Sequence, residues 1–309
     1  MSKLIVPAVV EQRAKAMGSA GVQWLAGLTG VINDLEKKWG ITAESAMSGG
    51  THAFAARAVS ADGMRYVIKI DMPDGFGHAD FKYAVNALKA ADGNGYVKLF
   101  DFDETHRACL LEELGRPLKE LGYTVNKQIE ILCCALKKSW VVPKNNSLQT
   151  GSVEWFREFL YQTWNEVGRP CPEKVIKRAY EFLDTRDKSA KPDEYVMVHG
   201  DAHNTNILEN LKGDGFKLID PDGLFYEKAC DLGVIMREWQ EEYRSDPVKK
   251  GTERCEYLSR LTGVEKKPIW EWGYLQNVST GLLGTKINGS IEAKNMLKTA
   301  EAWSGLDLF

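Results

Sequence analysis

The stretch VMVHGDAHNTNILENLKGDGFKLIDPDG, residues 196–223, places polar residues between short apolar runs. The run at its start and residues 207–209 both predict short strands. Residues 213–215 are Gly-Asp-Gly, a strong turn signal, so FKLID is predicted to return as a partner strand. We expect this hairpin to bring Asp220 back beside Asn206.

Asp201 and Asn206 form an Asp-x-x-x-x-Asn pattern. In kinase catalytic loops the Asp of this pattern meets the substrate hydroxyl and the Asn holds magnesium. Asn206 and Asp220 supply oxygen atoms, which Mg²⁺ prefers as ligands. The pattern and the hairpin are each common alone, but their combination with His199 and His203 favours a phosphoryl-transfer site.

A zinc site is the alternative for the same residues. His199-x-Asp201-x-His203 offers two imidazoles and a carboxylate, which can hold Zn²⁺ in a hydrolase. The chain has only 5 histidines, however, and the other three lie far away in the sequence. A zinc-dependent hydrolase also leaves Lys69 without a role, so the phosphoryl interpretation is favoured.

Two features upstream fit a nucleotide. Ser48, Gly49 and Gly50 lie between predicted strands, where backbone N–H groups can approach phosphate oxygens. Lys69 is a cation on the next strand, among valine and isoleucines, and we expect it to meet phosphates. The alternative for Lys69 is an edge-strand lysine that guards against aggregation.

Composition limits the function classes. The chain has 309 residues, 44% hydrophobic and 27% charged, with a net charge of −3, which argues against a broad nucleic-acid surface. No apolar run approaches the roughly 18 residues of a membrane span, and the N-terminal run is too short for a signal peptide. We therefore expect a cytoplasmic soluble protein.

The pattern of elements predicts an α+β fold with two lobes. Residues 1–115 read as a small lobe of strands with a helix at 81–91, and they end at the motif GRPL. Residues 116–309 read as a larger, mostly helical lobe interrupted by the hairpin. Clefts between such lobes are common ligand sites.

Four segments resemble the aminoglycoside phosphotransferases, which share the bilobal protein-kinase-like fold. HGDAHNTN (199–206) looks like their catalytic loop and LIDPDG (218–223) like their metal-binding segment. YEKACDLG (226–233) and WEWGYLQNVSTGLL (270–283) are similar to later blocks. The last block favours the streptomycin-type branch, the aminoglycoside/hydroxyurea resistance kinases.

The resemblance implies roles for individual residues. Asp201 is expected to accept the proton of a substrate hydroxyl, while Asn206 and Asp220 hold Mg²⁺ on the phosphates of ATP or GTP. Lys69 is expected to contact the α- and β-phosphates, and Asp231 to brace the catalytic loop. The backbone of the connection between the lobes is expected to meet adenine, through Glu112, Glu113 and Leu114.

One expected residue is missing from the small lobe. The family usually carries a Glu on the first-lobe helix, where it pairs with the strand lysine, but FKYAVNALKAA (81–91) has none. Asp80 is the nearest candidate. Either Asp80 substitutes, or the helix sits differently, or Lys69 lacks that partner.

The acceptor is expected to be a small, hydroxylated and cationic molecule. On a helix, Glu238, Glu241 and Glu242 share one face and can line an acidic acceptor cleft, although a solvated charged helix is the alternative. The terminal carboxylate of Phe309 is a further candidate, because a terminal carboxylate meets the drug in some family members.

Three functions remain open at this point. The first is an antibiotic O-phosphotransferase for a streptomycin-like aminoglycoside, which the branch resemblance favours. The second is a metabolic kinase for a sugar, choline-like or amino-alcohol hydroxyl. The third is a nucleotide-binding pseudokinase, against which the intact Lys69, Asp201, Asn206 and Asp220 argue. The choice between ATP and GTP and the oligomeric state stay open.

Overall fold

The computed structural model describes residues 4–48, 52–73, 80–143 and 147–309. The helices in this part of the chain are α1 Ala8–Ala16, α2 Ser19–Trp39, α3 Phe81–Ala91, α4 Val125–Ser139, α5 Val153–Glu166, α6 Glu173–Lys188, α7 Ala229–Arg237, α8 Pro247–Thr262, α9 Lys266–Ile287 and α10 Ile291–Trp303. Short 3-10 helices are Leu118–Glu120, Pro192–Glu194 and Gln240–Tyr243. The strands are β1 Ile41–Ala46, β2 Ala53–Ser60, β3 Arg65–Asp71, β4 Leu99–Asp103, β5 Ala108–Glu112, β6 Gln149–Thr150, β7 Val196–Val198, β8 Ile207–Glu209, β9 Phe216–Leu218 and β10 Leu224–Tyr226. The expected α+β class is confirmed.

The chain divides into two compact units. The first comprises Met1–Arg116 with Leu208–Asp222, and the second comprises Pro117–Ile207 with Gly223–Phe309. The expected division after residue 115 therefore misses the hairpin, which belongs to the first unit. Main-chain bonds are the reason, because Leu218 N–H donates to the Gly95 carbonyl at 2.8 Å and Gly115 N–H to the Glu209 carbonyl at 2.8 Å.

The first unit is built on a five-stranded antiparallel sheet with the order β1-β2-β3-β5-β4. Side chains alternate between the faces of a strand. Ile68 and Ile70 of β3 are buried in one apolar cluster with Leu28 and Leu35 of α2. Lys69 therefore lies on the opposite face of β3, which is how an apolar strand accommodates a charge.

Helix ends in the first unit follow from single residues. Gly40 ends α2 with a φ of 63°, a left-handed conformation that glycine adopts without strain. The Asp80 side chain accepts a hydrogen bond from Lys82 N–H at 3.1 Å, which caps the start of α3. The predicted helix at 81–91 is confirmed at both ends.

The second unit combines a three-stranded sheet with most of the helices. The sheet order is β6-β10-β7, and Val198 of β7 pairs with Leu224 of β10. Helices α7 and α9 approach closely, because a Cβ on Gly233 would lie 2.8 Å from main-chain atoms of Trp272. Every residue of α7 is buried, so this helix forms the centre of the unit.

No helix within the described ranges is both long enough and apolar enough to cross a membrane.

Candidate active site

A tight turn follows strand β7 and presents Asp201. Gly200 has a φ of 89°, which favours glycine at this position. His199 is fully buried, and its Nδ1 accepts a hydrogen bond from Asp201 N–H at 3.1 Å. The Asp201 side chain remains 40% exposed, so its carboxylate is accessible to a substrate.

Asp231, near the start of α7, braces this turn from within the protein. Its carboxylate accepts hydrogen bonds from the N–H groups of His199 at 3.1 Å and Gly200 at 2.9 Å, and from Trp140 Nε1 at 2.8 Å. Burial raises the pKa of the Asp231 carboxyl, while His199 and these donors act in the opposite direction. Because Asp231 has no exposed surface, its contacts are those of a structural anchor.

The two carboxylate oxygens of Asp201 have different neighbours. Arg237 Nη2 donates a hydrogen bond to Oδ1, and His203 Nε2 lies 3.2 Å from Oδ2. Burial acts to raise the pKa of Asp201, but the Arg237 guanidinium and then His203 outweigh it, so the pKa lies well below its ordinary value. The carboxylate is therefore ionised throughout the neutral range.

Arg237 is a site residue that sequence reasoning missed. Its Nη1 donates to Gln276 Oε1 at 2.6 Å and to Thr280 Oγ1 at 2.9 Å, both on α9, and its side chain is only 10% exposed. The sequence signal was an arginine directly after the apolar run at residues 232–236. A cation at the end of a buried helix needs an anionic partner. That partner is Asp201.

Asn206 is oriented by the same turn. Its Nδ2 donates to the Asp201 carbonyl at 3.1 Å, and its N–H donates to the His203 carbonyl at 3.0 Å. The Oδ1 atom is left without a partner among the residues that the structure describes. A fixed amide whose oxygen has no partner in the described part of the chain suits a ligand of a hard cation such as Mg²⁺.

In the first unit, Lys69 meets two carboxylates. Its Nζ lies 2.9 Å from Asp71 Oδ1 and 3.0 Å from Asp220 Oδ1. Burial acts to lower the pKa of Lys69, but Asp220 and Asp71 outweigh it and hold the pKa above its ordinary value. Asp220 was a candidate from the sequence, whereas Asp71 was not considered.

The suggestion that Asp80 substitutes for a helix glutamate is wrong. The Asp80 carboxylate is used at the N-cap of α3, where Lys82 N–H donates to it. The sequence rule for N-caps could have assigned this role, because Asp directly before a helix is a preferred capping residue. Lys69 finds its partners on its own strand and after β9.

The predicted phosphate loop is only partly described. Ser48 is exposed at the end of a described segment, whereas Gly49 and Gly50 lie outside the described residues. The role of residues 48–50 as a phosphate-binding turn stays a prediction.

The acidic side chains at the end of β5 are already paired. Glu112 is 6% exposed and accepts a hydrogen bond from Lys217 Nζ at 2.5 Å. Glu113 accepts hydrogen bonds from Arg57 Nε at 2.9 Å and Arg65 Nε at 2.5 Å. These side chains therefore stabilise the first unit, and only main-chain atoms of this segment are available to a ligand.

Leu114 offers such main-chain atoms. Its side chain is 5% exposed, and its N–H and carbonyl make no hydrogen bond to any residue in the described part of the chain. The next residue, Gly115, is already bonded to Glu209. Within the described residues, Leu114 thus has one unused main-chain donor and one unused acceptor, which could bond to the edge of a nucleotide base.

The expectation of one acidic helix face after α7 is wrong. Helix α7 ends at Arg237, Glu238 is extended, and Trp239 has a φ of 53°, so residues 238–242 do not form a continuous helix. A short 3-10 helix, Gln240–Tyr243, follows. The cause is tertiary, because Arg254 Nη1 donates to the carbonyl of Glu238 and holds the chain in this bend.

The three glutamates therefore have separate environments. Glu238 Oε1 lies 3.6 Å from Arg237 Nε, which places it near the Asp201 group. Glu242 pairs with Arg254 Nη2 at 2.6 Å, and Glu241 is exposed. Of the three, Glu238 is brought to the candidate site.

The C-terminal residue, Phe309, packs against the start of α9, away from the residues that contact Arg237. The Phe309 ring is 4.6 Å from Lys266 Nζ and 6.3 Å from the Trp270 ring. At about 1.5 Å per residue, roughly 15 Å of helix axis separates Lys266 from Gln276, the partner of Arg237. The structure thus does not bring Phe309 to Asp201.

The zinc alternative is not supported. No three His, Cys, Asp or Glu side chains within the described ranges form a group that could hold a metal ion. His199 is buried and its Nδ1 is used by the main chain, while His203 contacts Asp201 directly. The His-x-Asp-x-His pattern serves the geometry of the turn.

Comparisons with known sequences find relatives of this chain. The model of the aminoglycoside/hydroxyurea antibiotic resistance kinase family matches residues 38–285. A streptomycin 6-kinase from Streptomyces griseus is 28% identical over 311 residues, which cover 95% of each chain. A streptomycin 6-kinase from Streptomyces glaucescens is 24% identical over 283 residues, covering 85% of this chain and 86% of the relative.

Solved structures show the fold. A thermostable mutant of the aminoglycoside phosphotransferase APH(4)-Ia, in a ternary complex with ADP and hygromycin B, matches 90% of this chain and 99% of its own at a TM-score of 0.61 and 14% identity. The choline kinase LicA from Streptococcus pneumoniae matches 89% of this chain and 98% of its own at a TM-score of 0.60 and 14% identity. The expected protein-kinase-like fold is confirmed.

Proposed function

Since the chain belongs to the aminoglycoside/hydroxyurea antibiotic resistance kinase family, we propose that it phosphorylates a hydroxyl group of streptomycin with a nucleoside triphosphate as donor. Family membership makes the chain a phosphotransferase with an alcohol group as acceptor. The choice of streptomycin rests on alignment coverage, because the alignment with a streptomycin 6-kinase covers 95% of each chain.

Asp201 is the proposed catalytic base. Arg237 donates to Oδ1, and His203 Nε2 lies 3.2 Å from Oδ2. Oδ2, which has the longer of these two contacts, is the oxygen proposed to take the proton of the acceptor hydroxyl as the hydroxyl oxygen attacks the γ-phosphorus. The low pKa of Asp201 keeps the carboxylate ionised but makes it a weak base. Phosphoryl transfer depends mainly on positioning, so the main contribution of Asp201 is to orient the acceptor hydroxyl.

Asn206 and Asp220 are the proposed magnesium ligands. Asn206 offers its Oδ1, which has no partner among the described residues, and Asp220 offers its carboxylate; both are oxygen donors of the kind that Mg²⁺ prefers. When bound, the metal neutralises charge on the β- and γ-phosphates of the nucleotide. Asn206 contributes a fixed amide, since its other atom is bonded to the Asp201 carbonyl.

The nucleotide is proposed to contact Lys69 and Leu114 in the first unit. Lys69 supplies a cation for the α- and β-phosphates, and the unused N–H and carbonyl of Leu114 bond the base edge. Adenine and guanine both present an acceptor and a donor side by side on one edge. ATP is the proposed donor because the aminoglycoside phosphotransferase APH(4)-Ia, which has the same fold, was solved with ADP. Ser48, Gly49 and Gly50 remain the proposed phosphate turn.

Glu238 is the proposed contact for the cationic acceptor. Streptomycin is a polycation, and Glu238 is an acidic side chain that the fold places beside Arg237 and hence near Asp201. Its side chain is 19% exposed, so a bound cation would be partly desolvated there. Glu241 and Glu242 are lesser candidates, and Phe309 is not proposed as a contact because it lies beside Lys266 and Trp270.

An acceptor panel tests this function. The purified chain is incubated with ATP or GTP and with streptomycin, hygromycin B, hydroxyurea or choline, and nucleoside diphosphate release is followed with Mg²⁺ and with EDTA. We expect the highest kcat/KM for streptomycin with Mg·ATP, and no nucleoside diphosphate release in the presence of EDTA. A higher kcat/KM for choline would overturn the streptomycin assignment in favour of a metabolic kinase.

A further inference from the structure

Lys69 needs an anionic partner that its neighbouring helix does not supply. In protein kinases the strand lysine pairs with a glutamate of the adjacent helix, which holds it toward the phosphates. Helix α3 contains no Asp or Glu, and Asp80 is used as its N-cap. The anion that positions Lys69 therefore comes from another element of the first unit.

Asp71 is held firmly at the end of β3. Its N–H donates to the carbonyl of Arg107 at 2.9 Å, and its carbonyl accepts a hydrogen bond from Trp24 Nε1 at 3.0 Å. Alternate residues of a strand share a face, so Asp71 and Lys69 lie on the same side of the sheet. The Asp71 Oδ1 atom is 2.9 Å from Lys69 Nζ.

Asp220 is the second carboxylate near Lys69, but it is held less firmly. Its side chain is 43% exposed, compared with 19% for Asp71, and it follows β9 with a φ of 56°. Asp220 is also a proposed magnesium ligand, so its charge is shared with the metal once the nucleotide is bound. Asp71 is not among the proposed magnesium ligands.

We propose that Asp71 is the positioning residue of Lys69 and replaces the helix glutamate of other kinases. The inference rests on the proposed function, in which Lys69 meets the nucleotide phosphates. Asp71 acts through the lysine and does not itself touch the nucleotide. The lysine is thus positioned within one strand, and α3 contributes no charge to it.

Substitution of Asp71 tests this role against a matched control. Asp71→Asn removes the charge with little change in shape, and we expect kcat/KM for the nucleotide to fall about 10- to 100-fold, since a misplacement of about 1 Å costs up to about 10²-fold. Asp80→Asn is the control, because Asn caps helices as well as Asp does. We expect its kcat/KM to stay within about twofold of wild type.

A double variant separates positioning from mere structural support. If Asp71 acts through Lys69, then Asp71→Asn adds no loss in a Lys69→Met background, and the two effects are strongly non-additive. If Asp71→Asn alone does not fold, two other variants replace it. They are the double variant Asp71→Asn with Lys69→Met, in which both charges are removed, and Asp71→Glu. We expect Asp71→Glu, which keeps the charge, to retain more activity than Lys69→Met.

Several results would overturn the proposal. These are a kcat/KM for Asp71→Asn within twofold of wild type, a full additional loss in the Lys69→Met background, Asp71→Glu no better than Lys69→Met, or a larger loss in Asp80→Asn than in Asp71→Asn. Rates are taken with the best acceptor of the panel and also without acceptor, as slow nucleotide hydrolysis. Failure of streptomycin as acceptor therefore leaves this test intact.

Discussion

At the residue scale, Asp201 stays ionised because neighbours contact both of its oxygens. Arg237 is the stronger of these neighbours, and it lowers the pKa of Asp201 below its ordinary value. In Arg237→Met that pKa rises, so the acidic limb of kcat/KM against pH should move to higher pH. Arg237→Lys keeps a cation and should move the limb less. An unchanged limb in Arg237→Met would show that Arg237 does not control the charge.

Residues in local patterns could be predicted from the sequence, and residues defined by tertiary contacts could not. Asp201, Asn206 and Asp220 stand in a motif whose spacing points to its chemistry. Arg237 was missed because its partners lie far along the chain. Asp71 was overlooked although strand alternation places it on the same face as Lys69. Arg237 contacts α9 residues that follow it by 39 and 43 positions, and no local rule anticipates this.

At the element scale, α7 and α9 depend on glycine at their contact. A Cβ on Gly233 would lie 2.8 Å from main-chain atoms of Trp272, which cannot move aside as a side chain can. We expect Gly233→Ala to destabilise the protein by about 1–3 kcal/mol through overpacking. The control is Gly30→Ala in α2, where nothing lies within 4 Å and alanine should stabilise by about 0.4–1 kcal/mol.

Thermal unfolding measures both glycine variants. A lower midpoint for Gly233→Ala and a slightly higher one for Gly30→Ala are expected. Equal midpoints in the two variants would mean that α7 and α9 have room to separate, against the close packing described.

A buried ion pair joins α6 to α9. Arg186 Nε donates to Glu271 Oε2, and the two residues are 6% and 2% exposed. Arg186→Met leaves the glutamate buried without its cation, and we expect a loss of about 3–5 kcal/mol in unfolding free energy. Adding Glu271→Leu should recover most of that loss, because the buried charge of Glu271 is removed. Glu227, the other partner of Arg186, is 24% exposed and still accepts a hydrogen bond from Trp272 Nε1. A double variant as unstable as Arg186→Met in a denaturant titration would contradict this account.

Elements with a strong local signal were predicted well. Helix α3 has Asp80 as its cap and an apolar face at helical spacing, and its bounds match the prediction. The segment after α7 was expected to present its glutamates on one helix face, but it bends at residues 238–239 and continues as the short 3-10 helix Gln240–Tyr243. Arg254, far along the chain, bonds to the Glu238 carbonyl and fixes a bend that periodicity does not encode.

At the scale of the whole molecule, the chain does not divide in a single cut. Leu208–Asp222 belongs to the first unit, although the residues on either side of it belong to the second. The sequence predicts the lobes from composition and the motif GRPL, but the hairpin is assigned by its bonds to Gly95 and Gly115. The proposed functional residues are accordingly divided, with Lys69 and Asp220 in one unit and Asp201 in the other.

The central claim is that this chain transfers a phosphoryl group to streptomycin with Asp201 as the base. The most direct measurement is mass spectrometry of streptomycin after incubation with Mg·ATP and either the wild-type chain or Asp201→Asn. We predict one added phosphoryl group with the wild type, and a rate lower by about 10²–10⁴-fold in Asp201→Asn, the contribution typical of a positioned base. Unmodified streptomycin with the wild type, or equal rates in the two proteins, would contradict the account.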